Sequence, residues 1–108
     1  MNKVTPQFKP RFKVKQFISQ KWRRSAEGKT CELRLDGCKG DHGVVLAHLR
    51  FFAWAGIAQK PHDFLGVYAC SHCHDALDNR NNTSWGFEDV LRALGATLSK
   101  HYEEGRIK

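Results

Sequence analysis

No run of apolar residues in this sequence approaches the roughly 18 that a membrane-spanning helix needs, and no charged-then-apolar leader opens it. A cytosolic protein is the expectation. Acids are scarce at one end: residues 1–30 carry a single one, Glu27, against nine lysines and arginines, a surplus of eight. The other nine basic and ten acidic residues sum to −1, so the net charge of +7 belongs to the N-terminal arm. That distribution suits a basic tail laid along a polyanion. Repeats are absent, and 108 residues make one small domain, near the size at which a core alone is marginal and a metal staple helps. A hydrophobic content of 41% with three tryptophans argues against wholesale disorder.

Cysteine is limited to four residues, Cys31, Cys38, Cys70 and Cys73. The second pair is a C-x-x-C, a spacing at which two thiolates can close on one ion, and Zn²⁺ takes four such ligands in a tetrahedron. The first pair spans Cys31-Glu-Leu-Arg-Leu-Asp-Gly-Cys38, where Asp36-Gly37 is a tight-turn signal that can fold one cysteine back towards the other. In a cytosolic setting this pattern reads as one structural Cys₄ zinc site rather than as disulfides.

Residues 1–14 interleave Lys, Arg and Phe around two prolines and read as an extended arm; Lys15 to Ala26 can be helical. Strands are expected over Glu32–Leu35, over Val44–Leu49 with His48 near its end, and over Phe64–Ala69. A short helix follows over Cys73–Arg80. Thr83 or Ser84 can cap a final helix to about Glu104, with Val90, Leu91, Leu94 and Leu98 at helical spacing and Gly105 as its stop. Phe51 to Gln59 fits either a helical turn or an aromatic loop.

The chemistry gathers on His48 at a strand end and on His74 and Asp78, which share a helix face at i and i+4 and can share a cation. Phosphodiester hydrolysis needs a base to deprotonate water and a divalent ion to neutralise developing charge. His48 suits the base, because an imidazole with an ordinary pKa of about 6.5 is largely neutral at cellular pH. His74 and Asp78 suit the ion.

Strand-His, loop, strand, C-x-x-C-His and helix, in that order, resemble the HNH or His-Me finger endonucleases. More closely, Cys31, Gly37-Cys38, Val45-Leu46-Ala47-His48-Leu49-Arg50, Lys60-Pro61-His62-Asp63, Ala69-Cys70-Ser71-His72-Cys73-His74-Asp75 and Asp78 resemble a small family of phage and prophage nuclease-domain proteins, over about residues 28–108. The resemblance implies an α+β fold, a small zinc-stabilised ββα-metal domain with flanking helices. It also implies a metal-dependent DNA endonuclease working in the cytoplasm of a bacterium or phage-infected host. Residues 1–27 form the basic, partly helical arm and 28–108 the nuclease domain. By the same resemblance His48 is the general base, and His74 and Asp78 hold a catalytic Mg²⁺ or similar ion. Two departures stand out. Ala47 occupies the place where relatives put a metal-binding Asp or His, and no Asn lies between His48 and Cys70 to orient the base; Asp63 is the candidate to supply one missing function.

Other residues carry two readings. Arg50, two positions after His48, faces the same side of a strand and either clamps the scissile phosphate or is a solvated surface arginine. Asp75 either ligates the ion or complements the helix start. Phe51, Phe52 and Trp54 either stack on bases or pack in the core, and His72 reads as a loop residue. His42 and His62 sit in loops beside acids, with functional contact the lesser reading. Lys13, Lys15, Lys21, Arg23 and Arg24, with Arg50, are the candidate DNA contacts, against a solvated tail. A homodimer would suit cleavage of two strands. The competing account is a non-catalytic zinc-ribbon protein that binds nucleic acid.

Overall fold

The computed structural model of the chain describes residues 15–50 and 61–107. Lys13 and the rest of residues 1–14, together with Phe51, Phe52 and Trp54, lie outside the described residues. No helix among the described residues is long and apolar enough to cross a membrane.

Two strands, β1 (Val45–His48) and β2 (Gly66–Ala69), pair antiparallel, with Val45 opposite Ala69 and His48 opposite Gly66. Helix α1 (Gln20–Arg24) precedes them, α2 (Ser71–Leu77) starts two residues after β2, and α3 (Phe87–Glu103) follows, giving a small mixed α/β body. All four residues of β2 are buried, as the centre of such a body requires. Its outer edge is satisfied without a full third strand. The Tyr68 N–H donates to Thr97 Oγ1 of α3 at 3.0 Å, and the Tyr68 carbonyl accepts from the Glu32 N–H at 2.8 Å.

That single bond is all that remains of the strand expected over Glu32–Leu35. Arg34 sits at φ 54°, in the left-handed region, and a residue there ends an extended run. The segment is held instead by Arg92 of α3, which donates to the Glu32 and Leu33 carbonyls at 2.9 and 3.0 Å. The N-terminal helix is also shorter than its pattern. Ser19 caps it by accepting the Trp22 N–H at 3.3 Å, leaving Phe17 and Ile18 outside and exposed. Trp22 and Ala26 are buried in the core, so the packed body begins ahead of position 28.

Helix α3 starts later than Thr83 or Ser84 because Asp89 accepts the Gly86 N–H at 3.0 Å and fixes the first turn there. Gly105, at φ +84°, supplies the expected stop. The helix turns Val90, Ala93, Thr97 and His101 inwards, while Leu91 stays 66% exposed. His101 lies stacked on Trp22 with ring centroids 3.9 Å apart. Burial, with the Arg106 charge beside it, pushes this imidazole down to about 4, so it is a neutral core group at cellular pH.

Candidate active site and metal centre

The four cysteines converge. Cys31 and Cys38 come from the loop ahead of β1, Cys70 and Cys73 from the start of α2, and their sulfurs all lie within 4.8 Å of one another. Zinc–sulfur bonds of about 2.3 Å set tetrahedral sulfur–sulfur edges of about 3.8 Å, and the Cys38 and Cys70 sulfurs stand 3.9 Å apart. The thiols are free, not paired in disulfides.

Backbone amides point at the sulfurs. Lys39 and Cys73 donate to Cys70 Sγ at 3.3 and 3.4 Å, and Gly40 donates to Cys38 Sγ at 3.4 Å. Burial raises the Cys70 thiol, but those amides and the neighbouring thiols outweigh it and bring it down to about 7. Burial pushes Cys38 and Cys73 up. Four sulfur donors within 4.8 Å of one another, amide support and one pair close to a tetrahedral edge fit a structural zinc ion.

The turn that delivers Cys38 depends on Gly37, at φ +84°, where an added Cβ would fall 2.6 Å from His72 Nε2. That nitrogen donates to the Asp36 carbonyl at 2.7 Å, so His72 is tied between α2 and the knuckle rather than loose in a loop.

Because Cys70 caps α2 and Cys73 lies in its first turn, the cluster fixes where the helix begins and therefore where His74 stands. His74 Nε2 is 3.4 Å from Asp78 Oδ2, with Asp78 as the C-terminal cap of α2. Across from them, β1 ends in His48. An open cleft of about 440 Å³ is lined by His48, Arg50 and His74, with Arg23 and Glu27 on its rim. A second, of about 350 Å³, is lined by His48, Arg50, Asp78 and Trp85. The four residues singled out in the sequence thus border adjoining clefts, with His48 and Arg50 common to both. Arg50 is exposed. Asp75 faces Arg80 at 3.8 Å, a surface pairing rather than a place in either cleft.

Asp63 organises this site. Fully buried, its carboxylate accepts from His48 Nε2 at 2.7 Å, the Ser19 N–H at 2.6 Å and Arg23 Nε at 3.0 Å. Burial alone would raise its pKa, but the His48 bond, the Ser19 amide and Arg23 together hold the carboxyl below its ordinary value. Arg23 is therefore not a free cation of a basic tail; its Nε is committed to a buried carboxylate 40 residues away. Lys15, Lys21 and Arg24 are exposed. Local charge pattern cannot separate Arg23 from them, because its partner is distant in sequence.

An ionised Asp63 stabilises the fold above the ordinary carboxylate pKa, and that contribution is lost as the pH falls through its depressed folded value. Asp63→Asn lowers stability by about 3 kcal/mol at neutral pH by removing the charge from three donors. Urea denaturation compares the two proteins: the gap narrows in acid, and a gap equally large at pH 3 and pH 7 counts against this assignment.

A family model described as "Putative nuclease YbcO" matches residues 20–103. The chain is 35% identical over 91 residues to "Putative nuclease YbcO" of Escherichia coli strain K12, covering 80% of this chain and 95% of that protein. The same identity and coverage hold for "Putative nuclease ybcO" of Enterobacteria phage 82. Among solved structures it resembles a putative bacteriophage protein from Escherichia coli K-12 MG1655, with TM-score 0.63 and 31% identity over 79% of this chain and all of the other.

Proposed function

Since the chain belongs to the family described as "Putative nuclease YbcO", we propose that it is a metal-dependent DNA endonuclease of the HNH, or His-Me finger, type, encoded by a phage or prophage. The observation that carries this reading is the 2.7 Å bond between His48 Nε2 and the buried Asp63 carboxylate, made at the lip of clefts that His74, Asp78 and Arg50 also line. An ionised carboxylate only accepts, so Nε2 holds the proton and Nδ1 keeps its lone pair. No hydrogen bond to Nδ1 is found among the described residues. This nitrogen takes the proton from the attacking water, and Asp63 stands in for the missing Asn by fixing ring and tautomer.

Arg50, exposed beside His48, holds the scissile phosphate through paired hydrogen bonds. His74 and Asp78 would hold a divalent ion such as Mg²⁺. When bound, the ion neutralises charge on the phosphate and the leaving oxygen. One imidazole nitrogen and one carboxylate oxygen, 3.4 Å apart on half-buried side chains, suit a hard ion that keeps most of its waters. Ala47 is buried and offers no third ligand.

The order β1, β2, α2, with a histidine on the first strand and another on the helix, supports a ββα-metal reading. In that reading the nuclease domain expected over residues 28–108 takes in α1 as well, the basic arm precedes that helix, and the cysteine cluster would hold zinc for shape. Exposed Lys15, Lys21 and Arg24 follow DNA phosphates, which makes binding weaken steeply with salt.

Incubation with supercoiled plasmid tests the reading. Mg²⁺ or Mn²⁺ yields nicked or linear DNA and EDTA yields neither. Salt-sensitive binding without product under any divalent ion would favour the zinc-stabilised binding module, for which the ligand-free Ala47 is the specific observation.

A further inference from the structure

We propose that Phe64, His62 and Phe17 form a shelf that stacks an unpaired nucleobase beside the cleavage site, making DNA with unpaired nucleotides the preferred substrate class. The inference rests on the nuclease reading and deepens it. Asp63 turns inwards to His48, and the residues on either side of it, His62 and Phe64, reach the surface and stack face to face, with ring centroids 4.6 Å apart and planes 10° apart. Phe17 extends the shelf at 5.9 Å from Phe64 and leans edge-on against Trp22 at 5.2 Å. Phe17 and Phe64 remain 38% and 40% exposed, so part of each ring is open to a ligand.

The shelf is held in place rather than loosely exposed. The Phe17 N–H donates to His62 Nδ1 at 2.8 Å, and the Asp63 N–H donates to the Phe17 carbonyl at 2.8 Å. Both bonds lock residues 15–19 onto the turn that carries Asp63. A recess of about 350 Å³ opens over these rings, bordered by Lys15, Gln16, Phe17, His62 and Phe64. An apolar floor of aromatic faces with a lysine on its rim is the combination that binds single strands: the rings stack bases and the cation takes the phosphate.

The position selects the occupant. Successive Cα atoms are about 3.8 Å apart, so His62 and Phe64 are immediate chain neighbours of the carboxylate that orients His48. Asp63 thus joins the two places, bonding His48 on the inside while its neighbours carry the shelf on the outside, and the shelf recess and the His48 clefts share no lining residue. Paired bases keep their faces within the duplex stack, and only an unpaired base can present one to Phe64.

Fluorescence anisotropy tests this with the full, zinc-loaded chain, without added Mg²⁺, on labelled oligo(dT) and on a blunt duplex of equal length. Phe64→Ala and Phe64→Leu each lose roughly tenfold in affinity for oligo(dT) and little for the duplex, while Phe64→Trp retains binding and its added fluorescence is quenched by oligo(dT). Phe64→Leu keeps apolar bulk, so it reads the aromatic face even if Phe64→Ala folds poorly. Equal losses on both ligands, or none on oligo(dT), overturn the shelf and leave the nuclease reading standing. Failure of the wild type to bind either ligand overturns both.

Discussion

If His48 is the general base proposed above, His48→Ala cuts plasmid DNA roughly 10²–10⁴-fold more slowly than the wild type while keeping its cooperative unfolding. The size follows from the proposed role: removing a positioned general base would leave only the ion, the phosphate clamp and solvent to activate water. The fold survives because the carboxylate that His48 leaves is still paired. Asp63 keeps the Ser19 amide at 2.6 Å and Arg23 Nε at 3.0 Å, so no buried charge is orphaned. Single-turnover cleavage measures the rate, and a melting curve checks the fold. A variant with unchanged rate removes His48 from the mechanism, and a variant that fails to fold returns it to the core.

If the four cysteines hold zinc as proposed, stripping it unfolds the protein. The cysteine cluster joins the loop carrying Cys31 and Cys38 to the first turn of α2, and little regular structure spans that join: Glu32–Leu35 makes one bond to β2, and the sheet has two short strands. Structural zinc contributes on the order of 10–16 kcal/mol in small zinc-binding peptides at neutral pH, as much as the roughly 5–15 kcal/mol of a typical domain's whole stability. Cys70→Ser, or a strong chelator, therefore removes the thermal transition and the near-UV signal of the tryptophans. Activity disappears with them and does not return on adding Mg²⁺ alone. Zinc-free protein with an unchanged melting temperature would show that the four thiols are only core residues.

The parts of this molecule that were legible in its sequence are those written in short spacings. The C-x-x-C, the Asp36-Gly37 turn, the apolar run ending in His48, the i and i+4 pair of His74 and Asp78, and the Gly105 stop each depend on neighbours within a few residues. What was not legible depends on distant partners. Arg23 looks like one more cation of a basic arm until it meets Asp63. Glu32–Leu35 has strand composition, yet Arg34 turns left-handed and Arg92 takes the carbonyls that a third strand would have used. Leu91 fits the helical spacing of the core face but lies off it, because α3 presents Val90, Ala93, Thr97 and His101 to β2 and Trp22. Asp63 was visible as a candidate, but the three donors that make it the hub come from residues 15 to 44 positions away.

Imidazole rescue of His48→Ala tests most directly whether His48 is the base. The variant's open cleft, about 440 Å³ in the wild type, has room for a free imidazole where the side chain stood. Cleavage of supercoiled plasmid by the folded, zinc-loaded variant is predicted to rise with added imidazole, in proportion to its neutral form, while the wild type is indifferent to it. Cleavage by His48→Ala at the wild-type rate without imidazole would contradict the assignment.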